Sequence, residues 1–268
     1  MKFTFALIVS MSFSLEVFAQ NIDINTPINI PSRKLYFAYG QTYKVKLDRT
    51  FSRLAKEGFN NFYFVGIERQ FNEKILNIQS VLLIGTLKTR GNRFNTLNNY
   101  AGAIKMRIMR QSEKLSKSDF SVHTGINLIG RGDVWFPQIE DLRYAWDIYL
   151  GAGWSTSIRF RISSELFVQN DFDISLLGIL WRSHNNGQQL STEEIQLENG
   201  IIAAALETPN FSHPLNTQYI DNSLKLYNVV SGKFYMYYNF NLSYSYLKLP
   251  LVKKGYELTN SIGLTYRF

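Results

Sequence analysis

The sequence predicts an all-β fold: a closed antiparallel up-and-down transmembrane β-barrel of ten to twelve strands, with twelve favoured. Apolar and polar residues alternate with a period of two through most of the chain, which is typical of strands with two different faces. All six prolines fall between the predicted strands, as a closed hydrogen-bonded sheet requires. After the first segment, no stretch holds ~18 continuous apolar residues, which excludes a bundle of membrane-spanning helices.

The alternating pattern divides the chain into twelve predicted strands. In order they are residues 34–43, 60–71, 75–89, 99–110, 119–131, 144–155, 158–170, 173–184, 194–208, 223–230, 234–249 and 256–268. The longer connections are predicted at 44–58, with one helical turn, and at 90–98, 132–142, 185–193 and 209–222. An even number of strands returns both chain ends to one side of the membrane. The connection near Asn170 is short where a surface loop is expected, so a merged or split strand there would give ten or fourteen.

The last strand runs to Phe268, the final residue, and its apolar side chains fall on one face. A strand with a bare aromatic face needs a cover, which lipid provides in a membrane barrel. This end resembles the C-terminal assembly signal of Gram-negative outer-membrane barrel proteins, with Phe268 last and Tyr266 and Leu264 at alternating positions before it. The resemblance implies a place in the bacterial outer membrane after export. It also implies outer-membrane lipid, lipopolysaccharide and the barrel-assembly machinery as partners.

The beginning of the chain is typical of an export signal. A basic Lys2 precedes an apolar stretch that is shorter than the ~20 residues a spanning helix needs. Val17 and Ala19 suit cleavage after Ala19, so residues 1–19 are predicted to be a signal peptide. Residues 20–33 are predicted to be a periplasmic lead-in, and residues 34–268 a single barrel domain.

Composition narrows the function further. The chain contains no cysteine, which excludes disulfides, thiolate metal sites and cysteine nucleophiles. Aromatic residues make up 15% of the chain, enough for girdles at both membrane interfaces. The net charge is +8. In an exported protein this charge favours a lipopolysaccharide surface or an anion-favouring lumen over nucleic acid. No cofactor is expected.

The histidines give little indication of catalysis. His123 is predicted to face the lumen, where a hydrogen-bonded interior histidine is a better interpretation than a catalytic one. His213 lies in a loop without a partner pattern. The segment around His184 is similar to outer-membrane phospholipase A and the lipid A deacylases, in which a nucleophilic serine follows the histidine by two residues. Here that position is Asn186, which has no hydroxyl, so we do not expect an enzyme of this kind. No ligand spacing indicates a metal site.

The charged side chains predicted to face inward are the most informative set. With His123 they are Lys105, Arg107, Asp147, Arg159, Arg161, Glu165, Lys225, Glu257 and Arg267. They could line a water-filled pore whose basic excess favours anions. They could instead pair, Arg159 or Arg161 with Asp147 or Glu165, and fill the narrow interior that ten to twelve strands enclose.

The leading functional hypothesis is therefore a small porin-like channel or structural barrel that passes small, anionic solutes, and not an enzyme. The alternatives are a surface-binding or adhesive barrel that acts through its loops, and an outer-membrane lipid hydrolase. A soluble β-sandwich or lipocalin-like barrel remains the structural alternative. It predicts that Tyr144, Trp154, Phe160 and Phe240 are buried against protein, whereas a membrane barrel exposes them in a belt ~25 Å tall.

Overall fold

The computed structural model describes residues 33–48, 55–71, 74–89, 92–116, 119–137, 145–182, 210–213, 216–248 and 252–268. The predicted signal peptide and nearly all of the lead-in lie outside these residues, as does the strand predicted at 194–208. The described strands are β1 (Arg33–Asp48), β2 (Lys56–Phe71), β3 (Lys74–Thr89), β4 (Asn92–Gln111), β5 (Phe120–Pro137), β6 (Ala145–Arg161), β7 (Leu166–Arg182), β8 (Asn210–Ser212), β9 (Thr217–Val229), β10 (Phe234–Leu247) and β11 (Lys253–Arg267).

Ten of these strands close into an antiparallel barrel. Consecutive strands pair from β1 to β7 and from β9 to β11, and β7 pairs with β9. The ring is completed by β1 and β11, which pair along their whole length from Lys34 with Arg267 to Asp48 with Lys253. The short β8 pairs only with the last part of β7 and lies outside the ring of ten. The predicted closed antiparallel barrel is thus confirmed.

The favoured number of twelve strands is too high. The predicted segments 144–155, 158–170 and 173–184 are two strands, because β6 continues through the turn predicted at residues 156–157. The real turn comes at residues 162–165, where the Ser163 hydroxyl oxygen accepts hydrogen bonds from the backbone N–H groups of Glu165 and Leu166.

Several predicted loops are also strand. Residues 44–48 and 56–58 extend β1 and β2, residues 92–98 begin β4, residues 132–137 end β5 and residues 217–222 begin β9. Pro137 is consequently the last residue of a strand rather than part of a connection. These segments suggested loops because they carry lysine, aspartate and asparagine. Such residues suit a strand whose inner face meets other polar groups.

The two ends of the barrel are distinguished by their connections. The end that carries Arg33 and Phe268 also carries the turns at residues 112–119, 162–165 and 230–233, and we call it the terminal end. A short 3-10 turn, Glu113–Leu115, lies in the first of these connections. The opposite end, which we call the far end, carries the connection from β7 to β8. No helix within the described ranges is long and apolar enough to cross a bilayer.

The outer face carries an apolar band between two groups of aromatic rings. Near the far end, ring pairs such as Tyr43 with Phe59 and Tyr244 with Tyr256 lie 5.1 Å apart. Near the terminal end, Tyr266 lies 5.0 Å from Phe234 and 6.0 Å from Phe268. Tyr256 and Tyr266 are ten residues apart on β11. At a rise of ~3.3 Å per residue and a tilt of ~40°, this spacing is ~25 Å along the barrel axis.

Three of the four aromatic residues that distinguish the two architectures, Trp154, Phe160 and Phe240, lie on this outer face. Trp154 is 46% exposed, and Phe160 and Phe240 are partly exposed. Tyr144 lies outside the described residues. The exposed apolar band is the arrangement that a membrane barrel predicts.

Candidate functional site in the barrel lumen

The inner face of the barrel is rich in charge. Among the described residues, nine cationic and seven carboxylate side chains are joined in ion pairs inside the ring. The cations are Lys34, Lys44, Lys46, Lys105, Arg107, Arg131, Arg159, Lys225 and Lys253. The carboxylates are Glu68, Asp133, Asp147, Asp171, Asp173, Asp221 and Glu257.

One group of these ion pairs fills the lumen towards the terminal end. Glu68 of β2 lies 3.2 Å from the Lys34 ammonium of β1 and accepts a hydrogen bond from Arg159 of β6 at 2.8 Å. Because β2 and β6 are not neighbours in the sheet, Arg159 reaches across the lumen. Asp171 of β7 accepts a hydrogen bond from Lys225 of the adjacent β9 at 2.8 Å.

Two cations of β4 extend this group towards the middle of the barrel. Lys105 donates to Asp173 of β7 at 2.6 Å and also contacts Asp221 of β9. Arg107 donates through Nε to Asp173 at 2.9 Å and through Nη2 to the second oxygen of the same carboxylate. Two parallel bonds fix the plane of the guanidinium. We call the whole set the terminal-end layer: Lys34, Glu68, Lys105, Arg107, Arg159, Asp171, Asp173, Asp221 and Lys225.

A second group of ion pairs fills the lumen towards the far end. Asp133 of β5 accepts hydrogen bonds from Lys44 at 2.9 Å and Lys46 at 3.2 Å, both on β1. Glu257 of β11 lies 3.3 Å from the Lys44 ammonium and accepts a hydrogen bond from Arg131 of β5. Neither β1 nor β11 is adjacent to β5, so the contacts of Asp133 and Arg131 with these strands also cross the lumen, whereas Lys44 and Glu257 are neighbours on paired strands.

The outermost contacts of this group are an ion pair beside the Trp135 indole ring. Lys253 of β11 forms an ion pair with Asp147 of β6, and its ammonium lies 4.4 Å from the centre of the Trp135 ring. Lys46 also lies over that ring and is 3.9 Å from Asp147. We call this set the far-end layer: Lys44, Lys46, Arg131, Asp133, Asp147, Lys253 and Glu257.

Aromatic rings occupy much of the remaining cross-section at both ends. At the terminal end, buried Tyr36, Tyr227 and Tyr237 pack together, and Tyr227 stacks on Phe167 with ring centres 4.4 Å apart. At the far end, Tyr149 lies 4.4 Å from Tyr219. Ions and rings together leave little open passage through the lumen.

A cavity of about 100 Å³ remains between the two layers. Lys105 of the terminal-end layer and Arg131 of the far-end layer both line it. The lining from β2 to β4 includes the apolar side chains of Phe62, Phe64, Val81, Leu83, Ala101 and Ala103 beside Gln79, Lys105 and Arg107. The lining from β9 to β11 includes the polar side chains of Asp221, Ser223, Asn239, Asn241, Ser243 and Thr259 beside the aromatic Tyr219, Tyr237 and Tyr244. The space is large enough for several water molecules.

The predicted lumen residues do not all lie in the lumen. Seven are buried inside the barrel, and they are Lys105, Arg107, His123, Asp147, Arg159, Lys225 and Glu257. Arg161 and Arg267 lie at the terminal end of β6 and β11 and are partly exposed. Glu165 is exposed in the turn at residues 162–165, so its predicted inward position is wrong. The predicted pairing is also wrong, since Arg159 pairs with Glu68 and Asp147 pairs with Lys253.

The histidines show no catalytic arrangement within the described residues. Neither ring nitrogen of the buried His123 has a hydrogen-bond partner there, so the predicted hydrogen-bonded histidine is not found. The Ser121 hydroxyl, two residues away on the same face, is also without a partner in the described structure. His213 is exposed beside β8. His184 and Asn186 lie outside the described residues. The described residues contain no group of three or more metal-ligating side chains.

Sequence reasoning missed more than half of the ion-pair residues. Lys44, Lys46 and Asp133 fall in predicted loops. Each of them nevertheless continues the alternation of the neighbouring predicted strand at a position that faces inward. Asp171 and Asp173 fall at the boundary of two predicted strands that were divided in the wrong place. Extending the alternation through polar residues would have found all five.

The paired layers can hold the lumen closed and can also change partners. Lys44 contacts both Asp133 and Glu257, and Lys105 contacts both Asp173 and Asp221. A cation with two carboxylates can keep one bond while the other opens, which avoids the high cost of a fully unpaired buried charge. Nine cations against seven carboxylates leave the paired interior with a positive excess.

Comparisons with known proteins show which fold the chain shares. No protein-family model and no curated protein matches this sequence. The outer membrane protease OmpT from Escherichia coli has a similar structure, with a TM-score of 0.53 and 8% identity over 93% of this chain and 99% of that chain. The translocator domain of autotransporter NalP from Neisseria meningitidis gives a TM-score of 0.43 and 10% identity over 100% and 98% of the chains. An outer membrane channel from Pseudomonas putida F1 gives 0.41 and 7% over 92% and 100%. The likeness to OmpT shows a shared fold, the closed antiparallel barrel of a Gram-negative outer-membrane protein.

Proposed function

We propose that this chain is an outer-membrane barrel with a narrow, gated lumen, through which small solutes pass when the two ion-pair layers open. The observation that carries the proposal is that charges on opposite sides of the barrel pair with one another at two levels, as Arg131 does with Glu257 and Arg107 with Asp173. A static pore would leave such charges facing water, whereas crossing pairs keep the lumen closed at rest.

The outer surface supports a place in the outer membrane. Exposed apolar side chains form a band between aromatic groups that are spaced ~25 Å apart, which matches the apolar height of outer-membrane barrels. The fold shared with OmpT agrees with this location.

The charge of the interior supports a weak preference for anions. Two cations remain in excess when the nine interior cations are set against the seven carboxylates, so an opened lumen has a positive potential. The proposal assigns no catalysis to the lumen.

Conductance of the refolded protein in planar bilayers tests this function. We expect the wild-type barrel to remain mostly closed, with brief openings that favour anions in a salt gradient. Glu257→Gln removes the carboxylate that Lys44 and Arg131 share, so its openings should be longer and more frequent. Glu57→Gln makes the same chemical change on the outer face, where Glu57 accepts a hydrogen bond from Tyr43 at 2.9 Å, and should behave as wild type. A barrel that stays silent in the wild type, in Glu257→Gln and in Lys105→Met would refute a gated channel.

A further inference from the structure

A row of three amide side chains lies on the outer face, in the middle of the apolar band. Gln41 of β1 pairs directly with Asn260 of β11 on one side and with Asn61 of β2 on the other. All three side chains are exposed. The same face is apolar on both sides of the row, with Tyr39 at 56% exposure and Ile262 at 62% towards the terminal end and Phe59 at 63% towards the far end. The row therefore faces the hydrocarbon of a bilayer.

Lipid cannot satisfy these amides, and the barrel satisfies them only in part. Asn260 accepts a hydrogen bond from the Tyr238 hydroxyl at 2.7 Å, and Asn61 accepts one from Tyr39 at 3.4 Å. The amide N–H groups of both asparagines, and the whole amide of Gln41, have no partner among the described residues. Polar groups that face hydrocarbon without partners are unfavourable, so this row requires a partner that supplies donors and acceptors.

The outer face contains a contrasting case. Asn170 of β7 and Asn222 of β9 also face outward, but the Asn170 amide donates to the Asn222 oxygen at 2.9 Å, so each of these amides has a side-chain partner. Gln41, at the centre of the amide row, differs from this pair because its amide has no side-chain partner among the described residues.

The shape of this face suits a protein surface. An open groove of about 580 Å³ lies beside the amide row, and its floor is formed at Ala38 and Gly263. Large side chains form its walls, and they are Phe37, Tyr39, Tyr63, Val65, Leu82, Ile262 and Leu264. A shallow, open groove next to hydrogen-bonding groups can receive side chains from a neighbour in the plane of the membrane.

We propose that the neighbour is a second copy of this chain, related by a two-fold axis along the membrane normal that passes close to Gln41. Such an axis places Gln41 against Gln41 of the copy, and a primary amide is self-complementary because it carries both donors and an acceptor. The outward side chains are uncharged on the middle of all three strands: residues 256–264 of β11, 37–43 of β1 and 59–67 of β2. A second copy therefore meets no like-charge repulsion. A partner that presented charged side chains at the level of Gln41 would not form these amide–amide hydrogen bonds.

Symmetric disulfide formation tests the contact directly, because the chain has no cysteine of its own. Gln41→Cys in lipid vesicles should give mostly covalent dimer on oxidation, since only a residue near the two-fold axis meets its own copy. Asn222→Cys, also outward but on β9, should stay largely monomeric under the same oxidation. If Gln41→Cys gives no more dimer than Asn222→Cys, the interface is refuted.

A dissociation measurement tests the amides without a covalent bond. Gln41→Leu should weaken dimerisation about tenfold in vesicles, measured by energy transfer between labelled copies, while the double variant Asn170→Leu/Asn222→Leu should leave it unchanged. Retained heat modifiability on gels shows that each variant is folded. A folded Gln41→Leu that dimerises as tightly as wild type, or a wild type that is monomeric, would overturn the proposal. Neither result depends on whether the lumen conducts.

Discussion

Lys253 of β11 and Asp147 of β6 form an ion pair across the lumen, while the next residue, Lys254, points out of the barrel. Lys253 is 5% exposed and lies over the Trp135 ring. Lys254 is exposed, with its ammonium 5.7 Å from the Tyr246 ring. Two adjacent lysines of one strand therefore meet opposite environments, which makes them a matched pair for mutation.

Lys253→Met should destabilise the barrel by about 3–5 kcal/mol, because it removes the ion-pair partner of the buried Asp147 and leaves the Lys46 ammonium at 3.9 Å. Lys254→Met should change stability by about 0.5 kcal/mol or less, since it replaces an exposed side chain. Urea unfolding of the barrel in vesicles, followed by tryptophan fluorescence, measures both. Equal effects of the two substitutions would contradict the inward assignment of Lys253.

Glu68 and Arg159 should be strongly coupled. Glu68→Gln leaves Lys34 and Arg159 as like charges around a neutral amide, and Arg159→Met leaves Glu68 with Lys34 alone. Each single variant should lose about 3–5 kcal/mol, and the double variant should lose much less than the sum, because neither charge is then left without its partner across the lumen. A double-mutant cycle by urea unfolding gives the coupling. Additive effects would show that the pair across β2 and β6 is absent in the membrane.

Two buried tyrosines should respond oppositely to loss of the hydroxyl. The Tyr149 hydroxyl forms a hydrogen bond with the Ser175 hydroxyl, whereas the Tyr227 hydroxyl has no partner among the described residues. Tyr149→Phe should therefore destabilise the barrel by about 1 kcal/mol, and Tyr227→Phe should be neutral or stabilising. The same unfolding assay ranks them. A larger loss for Tyr227→Phe than for Tyr149→Phe would mean that its hydroxyl does find a partner.

The sequence contains enough information to predict the barrel but not its strand boundaries. Period-two alternation is clear where apolar residues face out, as around Trp154 and Ile262, and both residues lie in predicted strands that the structure contains, although the predicted strand 144–155 ends before β6 does. The alternation is not recognised where the inward residues are charged, as at Lys44 and Asp133, because single charged residues are also typical of loops. In a barrel with ion pairs inside, charge marks the inner face as often as it marks a connection.

The partners within the lumen could not be predicted for a different reason. Arg159 meets Glu68, which is 91 residues earlier in the chain, because closure of ten strands brings β2 opposite β6. The predicted partners of Arg159 came from strands near it in sequence. With the correct strand number and register the pairing follows, but alternation alone gives neither quantity.

Gly40 is the position at which a small change should most affect closure of the barrel. It lies on β1 directly opposite Ser261 of β11, and a Cβ at Gly40 would lie 2.0 Å from the Asn260 carbonyl oxygen. That oxygen belongs to the backbone of the closing strand, so Gly40→Ala forces β1 and β11 apart rather than moving a flexible side chain. We expect a loss of about 1–3 kcal/mol and a smaller folded fraction, measured by urea unfolding and heat modifiability.

Gly132→Ala is the matched control, since a Cβ there meets nothing within 4 Å. Gly132 lies within β5, away from the seam, so the alanine should be neutral or slightly stabilising through loss of chain entropy in the unfolded state. If Gly40→Ala and Gly132→Ala refold and unfold alike, β1 and β11 do not approach as closely as the register requires. Because that register closes the ring, such a result would also remove the basis for pairing Lys44 with Glu257 across the same seam.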